Sequence, residues 1–166
     1  MIQLRNATTA DKEIVKYWDK QQHVIDSDPD DDWNWDYELS RTPVWREQLI
    51  AELDGRAIGF VQIINPAQEE SKYWGEISEG FRAIDIWIGS ENDLGKGYGT
   101  QIMQQALTRC FLSPEVHAVL IDPLASNTRA ITFYERLGFK WVEDRRLGDS
   151  DCKVYCINRD AWELKT

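Results

Sequence analysis

The chain has 166 residues, 42% of them hydrophobic and 11% aromatic, which suits one ordinary domain with a sizeable core and argues against disorder. Its formal net charge of -10 repels a phosphate backbone, so nucleic acid is not expected as a partner, while cationic ligands are attracted. No apolar run approaches the ~20 residues of a membrane span, and Met1 to Ala10 lacks the basic-then-apolar order of a signal peptide, so the expectation is a single cytoplasmic domain over residues 1–166 with no membrane partner.

Ile2, Leu4 and Ala7 suit a short opening strand. Thr8 and Thr9, then Asp11 and Glu13, then Ile14, Val15, Tyr17 and Trp18 supply a cap, an acidic first turn and an apolar face at helical spacing, which predicts a helix to about Gln22. Asp26 to Glu38 holds seven acids and no base, together with Trp33, Trp35 and Tyr37. Two readings of it stand: a loop or short helix over a binding cleft, or an acidic surface loop with its aromatics in the core. The β-rich runs Trp45 to Leu53 and Ala57 to Ile64 flank Asp54-Gly55, a dipeptide suited to a type I′ turn, and predict an antiparallel hairpin. Asn65 to Phe81 breaks the pattern with Pro66, Gly75 and Gly80, and Ala83 to Ile88 resumes it as an alternating strand.

Leu94-Gly95-Lys96-Gly97-Tyr98-Gly99-Thr100 lies between that strand and a helix in which Ile102, Met103, Ala106, Leu107, Cys110 and Phe111 share a face, closing at Ser113-Pro114. Glycines there let main-chain N–H groups close around phosphate oxygens at the positive end of a helix, so an anion is expected on the unit Ile84 to Phe111. A strand at Val116 to Ile121 follows. Ser126 and Asn127 then cap a helix with Ala130, Ile131, Tyr134 and Leu137 on one face and Gly138 at its left-handed end. Phe139 to Glu143 and Lys153 to Ile157 are the last strands, and the order as a whole is α/β with a mixed sheet.

The glycine loop is not a Walker A, and Thr100 occupies the last glycine of G-x-G-x-x-G. G-x-S-x-G and H-E-x-x-H are absent, which removes the commonest hydrolase and metalloprotease signals. Cys110, Cys152 and Cys156, with only His23 and His117 beside them, indicate neither a disulfide framework nor a zinc site, and no metal is expected.

Leu94 to Gly99 resembles the coenzyme A motif Gln/Arg-x-x-Gly-x-Gly/Ala of the GCN5-related N-acetyltransferase (GNAT) superfamily, Gly97 and Gly99 matching and Leu94 departing. Ser126 to Phe139 is similar to the same family's S-N-x-x-A-x-x-x-Y-x-x-x-G-F segment. Asp122-Pro123 ahead of Ser126-Asn127, the Leu-Gly-Lys-Gly run and the Ile84-Asp85 strand look most like aminoglycoside 6′-N-acetyltransferases.

That resemblance implies a mostly antiparallel central sheet flanked by helices, acetyl-coenzyme A as acetyl donor and a small cationic amine as acceptor. It implies that Lys96, Gly97, Tyr98, Gly99 and Thr100 hold the pyrophosphate, that the main chain of Ile86, Trp87 and Ile88 runs beside the pantetheine arm, and that Asn127 contacts the cofactor. Asp85 then binds the acceptor amine and takes its proton, and Tyr134 protonates the coenzyme A sulfur. An aspartate of pKa about 3.9 is a poor base toward an amine of about 10, so Asp85 as base and Asp85 as anchor both stay open. Charge and location add Asp122, Glu76, Glu79 and Asp36 as carboxylates for acceptor ammonium groups, with Trp33 or Trp35 offering a cation–π face. A polyamine, a siderophore precursor or a protein amine as acceptor, and a non-catalytic acyl-coenzyme A-binding module, are the alternatives. Monomer and homodimer are both compatible with the sequence.

Overall fold

A computed structural model describes residues 1–29 and 32–165 of the chain. Its strands are β1 (Ile2–Asn6), β2 (Arg46–Leu53), β3 (Arg56–Ile64), β4 (Phe81–Ile88), β5 (Ala118–Ile121), β6 (Lys140–Leu147) and β7 (Ser150–Asn158). They form one sheet in the order β1-β2-β3-β4-β5-β7-β6. β1–β2, β5–β7 and β6–β7 pair antiparallel, and β4–β5 pairs parallel with Phe81 opposite Ala118. The helices are α1 (Lys12–Trp18), α2 (Gln22–Ser27), α3 (Trp35–Glu38), α4 (Tyr98–Phe111), α5 (Thr128–Leu137) and α6 (Arg159–Lys165). Contacts divide the chain into two compact units, Met1–Ile63 with Asp85–Ala106, and Ile64–Ile84 with Leu107–Thr166.

In the first unit the predicted cap is formed as a capping box. Thr8 Oγ1 accepts from the Ala10 N–H at 3.2 Å, and Asp11 accepts from the Thr8 N–H at 2.8 Å. The Arg5 guanidinium forks onto the same Asp11 carboxylate at 2.7 and 2.9 Å. The first helix stops at Trp18, short of the expected Gln22, and α2 restarts after Gln21 in an extended conformation. At ~100° per residue an unbroken helix would carry Val24 about 120° around from Trp18. The break lets both residues enter one core, with Val15, Trp35, Leu39, Ile50, Phe60 and Trp87. The hairpin is as predicted, with φ of 50° at Asp54 and 87° at Gly55, and a turn of that length joins antiparallel neighbours.

The second unit is built on β5, whose four residues are all buried, and on the β6–β7 hairpin that turns at Gly148. β6 runs four residues beyond the expected Glu143, to Leu147. It is the outermost strand and exposed along most of its length, so it carries charges such as Asp144, paired with Lys153 at 2.9 Å, in place of an apolar alternation. The sequence reading stopped at Ile157 and missed α6. Arg159, its first residue, donates from its guanidinium to the carbonyls of Phe111, Ser113 and Val116, closing the C-terminal end of α4, while Trp162 stacks on Phe111 at 4.8 Å.

Candidate active site

In the first unit the phosphate-type loop follows β4. Ser90 Oγ accepts from the Asn92 N–H and caps a 3₁₀ turn at Glu91–Asp93. Gly95 and Gly97 then take φ of 72° and 81°, and beyond its two chain neighbours no described residue lies within 4 Å of where a Cβ on Gly97 would stand. An L side chain would be strained there and would project into the open space where a phosphate could approach the main chain. The Gln101 N–H bonds to the Gly97 carbonyl at 3.3 Å, so the N–H groups of Tyr98, Gly99 and Thr100 lie ahead of it as the orphan donors of the helix start. Lys96 is exposed at the rim. The residues present therefore fit an anionic group.

Arg56 of β3 braces this loop. Its guanidinium forks onto Asp93, Nη1 to Oδ2 and Nη2 to Oδ1, both at 3.0 Å, and Asp93 is only 4% exposed. The Arg56 hydrogen bonds hold the Asp93 carboxyl below its ordinary range. A carboxyl lowered on folding stabilises the protein above its unfolded pKa, and that contribution is lost as pH falls through the folded pKa. Asp93→Asn is expected to lower the thermal midpoint at pH 7 by about 2–4 °C, with the difference from wild type narrowing in acid. Melting curves from neutral to acid pH check this; a constant difference would exclude the ion pair as its cause.

Asp85, two residues from Trp87, shares its sheet face, since alternate strand residues point the same way. It is half-buried, and its Oδ2 accepts from Gln62 Nε2 at 3.3 Å. Beyond it stand four aromatic rings. Phe60 stacks on Trp87 at 4.7 Å, Trp33 stacks on Trp35 at 5.2 Å, and each ring of the second pair meets those of the first edge-on. The acidic aromatic run shares features of both readings: it holds the short helix α3, Trp35 lies in the core, Trp33 is half-buried against it and Tyr37 is exposed, with Asp30 and Asp31 outside the described residues.

Three expectations change as a result. Trp35 is 4% exposed and enclosed by rings, so it is core and offers no cation–π face, whereas Trp33 is half-buried. Asp36 is bound by the ammonium groups of Lys12 and Lys16, each at 3.0 Å, which also hold its carboxyl low. It ties α3 to α1, and an acceptor ammonium would have to displace two lysines. The Ile88 carbonyl, expected beside the pantetheine arm, accepts from His23 Nε2 at 2.7 Å. Ile86 is half-buried, and the Trp87 side chain lies in the core.

In the second unit Asp122 directly follows β5, and its Oδ2 accepts from the Tyr73 hydroxyl at 2.6 Å. Glu79 accepts from Asn65 Nδ2 at 3.1 Å and Gln68 Nε2 at 3.2 Å, which braces the 65–80 loop and holds its carboxyl low. Glu76 is exposed. Asn127 is the N-cap of α5, its Oδ1 accepting from the Ala130 N–H at 3.1 Å. Tyr134 is 9% exposed on that helix, its ring edge-on to Phe139 at 5.8 Å. The structure thus brings Asp85 and the aromatic rings together on one sheet face of the first unit, and Asp122 and Tyr73 together in the second.

The sequence does not single out Gln62, Arg56 or Tyr73, and His23 enters it only beside the cysteines. Each is a lone polar residue whose partner is at least 30 residues away or lies on a neighbouring strand, so no local spacing marks it.

Residues 7–147 match the family described as an acetyltransferase (GNAT) domain. Aminoglycoside N(6')-acetyltransferase type 1 of Klebsiella pneumoniae is 33% identical over 115 residues, 69% of this chain and 57% of that relative, so the chain spans little more than half of that relative's length. The kanamycin resistance protein of Rhizobium radiobacter is 38% identical over 96 residues, 57% of this chain and 89% of its own. The crystal structure of aminoglycoside acetyltransferase AAC(6')-Ib in complex with coenzyme A and kanamycin superposes with a TM-score of 0.88 at 26% identity, covering 99% of this chain and 98% of the other. With the family match over most of its length and the strand–glycine loop–helix unit described above, the chain belongs to the GNAT acetyltransferase family.

Proposed function

We propose that this chain moves an acetyl group from acetyl-coenzyme A to a primary amine of a small cationic acceptor, the 6′-amine of an aminoglycoside. The observation that carries it is the loop after β4, the strand that bears Asp85, with left-handed glycines at 95 and 97, open space beside Gly97 and the orphan N–H groups of α4. The similarity to relatives named for aminoglycoside acetylation and kanamycin resistance supports the acceptor class. Residues 1–166 act as one acetyltransferase domain, and since the donor is a cytoplasmic metabolite, the reaction belongs in the cytoplasm.

The N–H groups of Tyr98, Gly99 and Thr100, with Gly97 and the Lys96 ammonium, hold the pyrophosphate. The main chain of Ile86 and Trp87 lies along the pantetheine arm, and Asn127, its Oδ1 already capping α5, contributes its amide nitrogen. Asp85 pairs with the acceptor ammonium and receives its proton, and the freed amine attacks the thioester carbonyl. The tetrahedral intermediate then expels the thiolate, which takes a proton from the Tyr134 hydroxyl, while the attacking nitrogen loses its second proton, which restores Tyr134, and Asp85 returns the first to solvent. Asp122, Glu76 and Glu79 bind further ammonium groups of the acceptor, and Trp33 lies against its cationic edge. Holding amine and thioester together supplies most of the acceleration.

The test is thiol release and mass analysis with acetyl-coenzyme A and a panel of aminoglycosides, polyamines and amine-bearing peptides. Turnover of aminoglycosides with a gain of one acetyl group is expected. Turnover of another amine alone would overturn the acceptor, and donor binding without any turnover would overturn the enzyme reading. Tyr134→Phe is expected to slow the chemical step at least about tenfold in single turnover; an unchanged step would remove Tyr134 from that role.

A further inference from the structure

Three adjacent strands carry a row of side chains that ends on Asp85. Gln48 stands on β2, Gln62 on β3 and Asp85 on β4, all half-buried. Gln48 Nε2 donates to Gln62 Oε1 at 3.0 Å, and Gln62 Nε2 donates to Asp85 Oδ2 at 3.3 Å. The direction of donation matters, because an amide has a donor end and an acceptor end of nearly the same shape. Were the Gln62 amide reversed, its oxygen would face the Asp85 oxygen, two acceptors with no proton between them. The donor from Gln48 holds Gln62 Oε1 on the β2 side and so leaves the Gln62 NH2 for Asp85. A hydrogen bond to a charged carboxylate is among the stronger ones, and it fixes the carboxylate's plane.

We propose that Gln48 and Gln62 form an orienting relay, in which Gln62 is a positioning residue that aims the Asp85 carboxylate and Gln48 sets which way round Gln62 stands. This rests on Asp85 being the carboxylate that receives the acceptor amine. Neither glutamine touches the reacting atoms. Their effect reaches the reaction through the orientation of one side chain, and the row lies next to the aromatic rings at Phe60 and Trp87, which occupy the same face of β3 and β4.

Four variants test it: Gln62→Met, Gln48→Met, Gln48→Glu and the double methionine variant, each assayed for kcat and both KM values. Gln62→Met is expected to lower kcat about tenfold, with the KM for acetyl-coenzyme A unchanged, as for a lost hydrogen bond to a charge. Gln48→Met is expected to lower it about threefold, and the double variant no further than Gln62→Met alone, because Gln48 acts only through Gln62. Gln48→Glu replaces a donor by an acceptor of equal size. It draws the Gln62 NH2 toward β2 and turns its oxygen onto Asp85, so it is expected to be worse than Gln48→Met.

Additive losses, or Gln48→Glu no worse than Gln48→Met, would overturn the relay. A readout independent of turnover separates this from a failure of the enzyme reading: the Gln62 side-chain NH2 signals in a 15N correlation spectrum are expected to move in Asp85→Asn and in Gln48→Glu. Signals unmoved in both would overturn the relay even in an active enzyme. Signals that move in a protein that acetylates no amine would keep the relay and sink the function.

Discussion

Asp85→Asn is expected to lower kcat/KM for the amine acceptor by at least ~100-fold, in the range of a lost general acid–base group. Asparagine has the same shape, and its Oδ1 still accepts from Gln62 Nε2, so the fold and the row across β2, β3 and β4 remain. What disappears is a negative charge beside an acceptor that arrives as an ammonium. The two roles open for Asp85 separate in the same experiment. Loss of an anchor raises the acceptor KM, whereas loss of a proton acceptor lowers kcat at saturation. Near-native kinetics would remove Asp85 from the mechanism.

The second large effect is on the donor side. Gly97→Val is expected to raise the KM for acetyl-coenzyme A at least about tenfold, which corresponds to about 1.4 kcal/mol. Two causes act together. A β-branched residue at the φ of 81° found at Gly97 is strained by roughly 1–2 kcal/mol. Its side chain also enters the open space beside Gly97, where the proposed pyrophosphate would approach. The kcat at saturating donor and the acceptor KM are expected to change little, because Gly97 is remote in role from proton transfer. Calorimetric titration gives the donor Kd directly, and an unchanged value would mean that the pyrophosphate is not held by this loop.

Much of this was legible because it is local. The Thr8 cap, the Asp54-Gly55 turn, the left-handed Gly138 and the loop at 94–100 are fixed by neighbours within a few residues, and each is where its residue types require. The unread parts depend on partners far along the chain. α6 has few apolar positions and is held by Arg159 gripping carbonyls more than 40 residues earlier. β6 shows no alternation because it is an outer strand. In the candidate site, sequence supplied the carboxylates and the glycines, whereas Arg56 on Asp93 and Gln62 on Asp85 arise only when strands are laid side by side. The acidic aromatic run shows the limit from the other side. Its composition offered a core reading and a cleft reading; the core takes Trp35, while Asp36 is held at the surface by two lysines and Tyr37 is exposed.

The packed rings of Trp33, Trp35, Phe60 and Trp87 also have an optical consequence. Three of the chain's eight tryptophans stand with centroids 5.1 to 6.1 Å apart, close enough for their ultraviolet transitions to couple. Such a cluster has its own near-ultraviolet dichroism, distinct from that of isolated indoles, and Trp33 is the member only half withdrawn from solvent. It packs edge-on against Trp87, whose sheet face carries Asp85, so binding of the proposed acceptor on that face is expected to change the protein's native near-ultraviolet spectrum, and a label-free titration checks it.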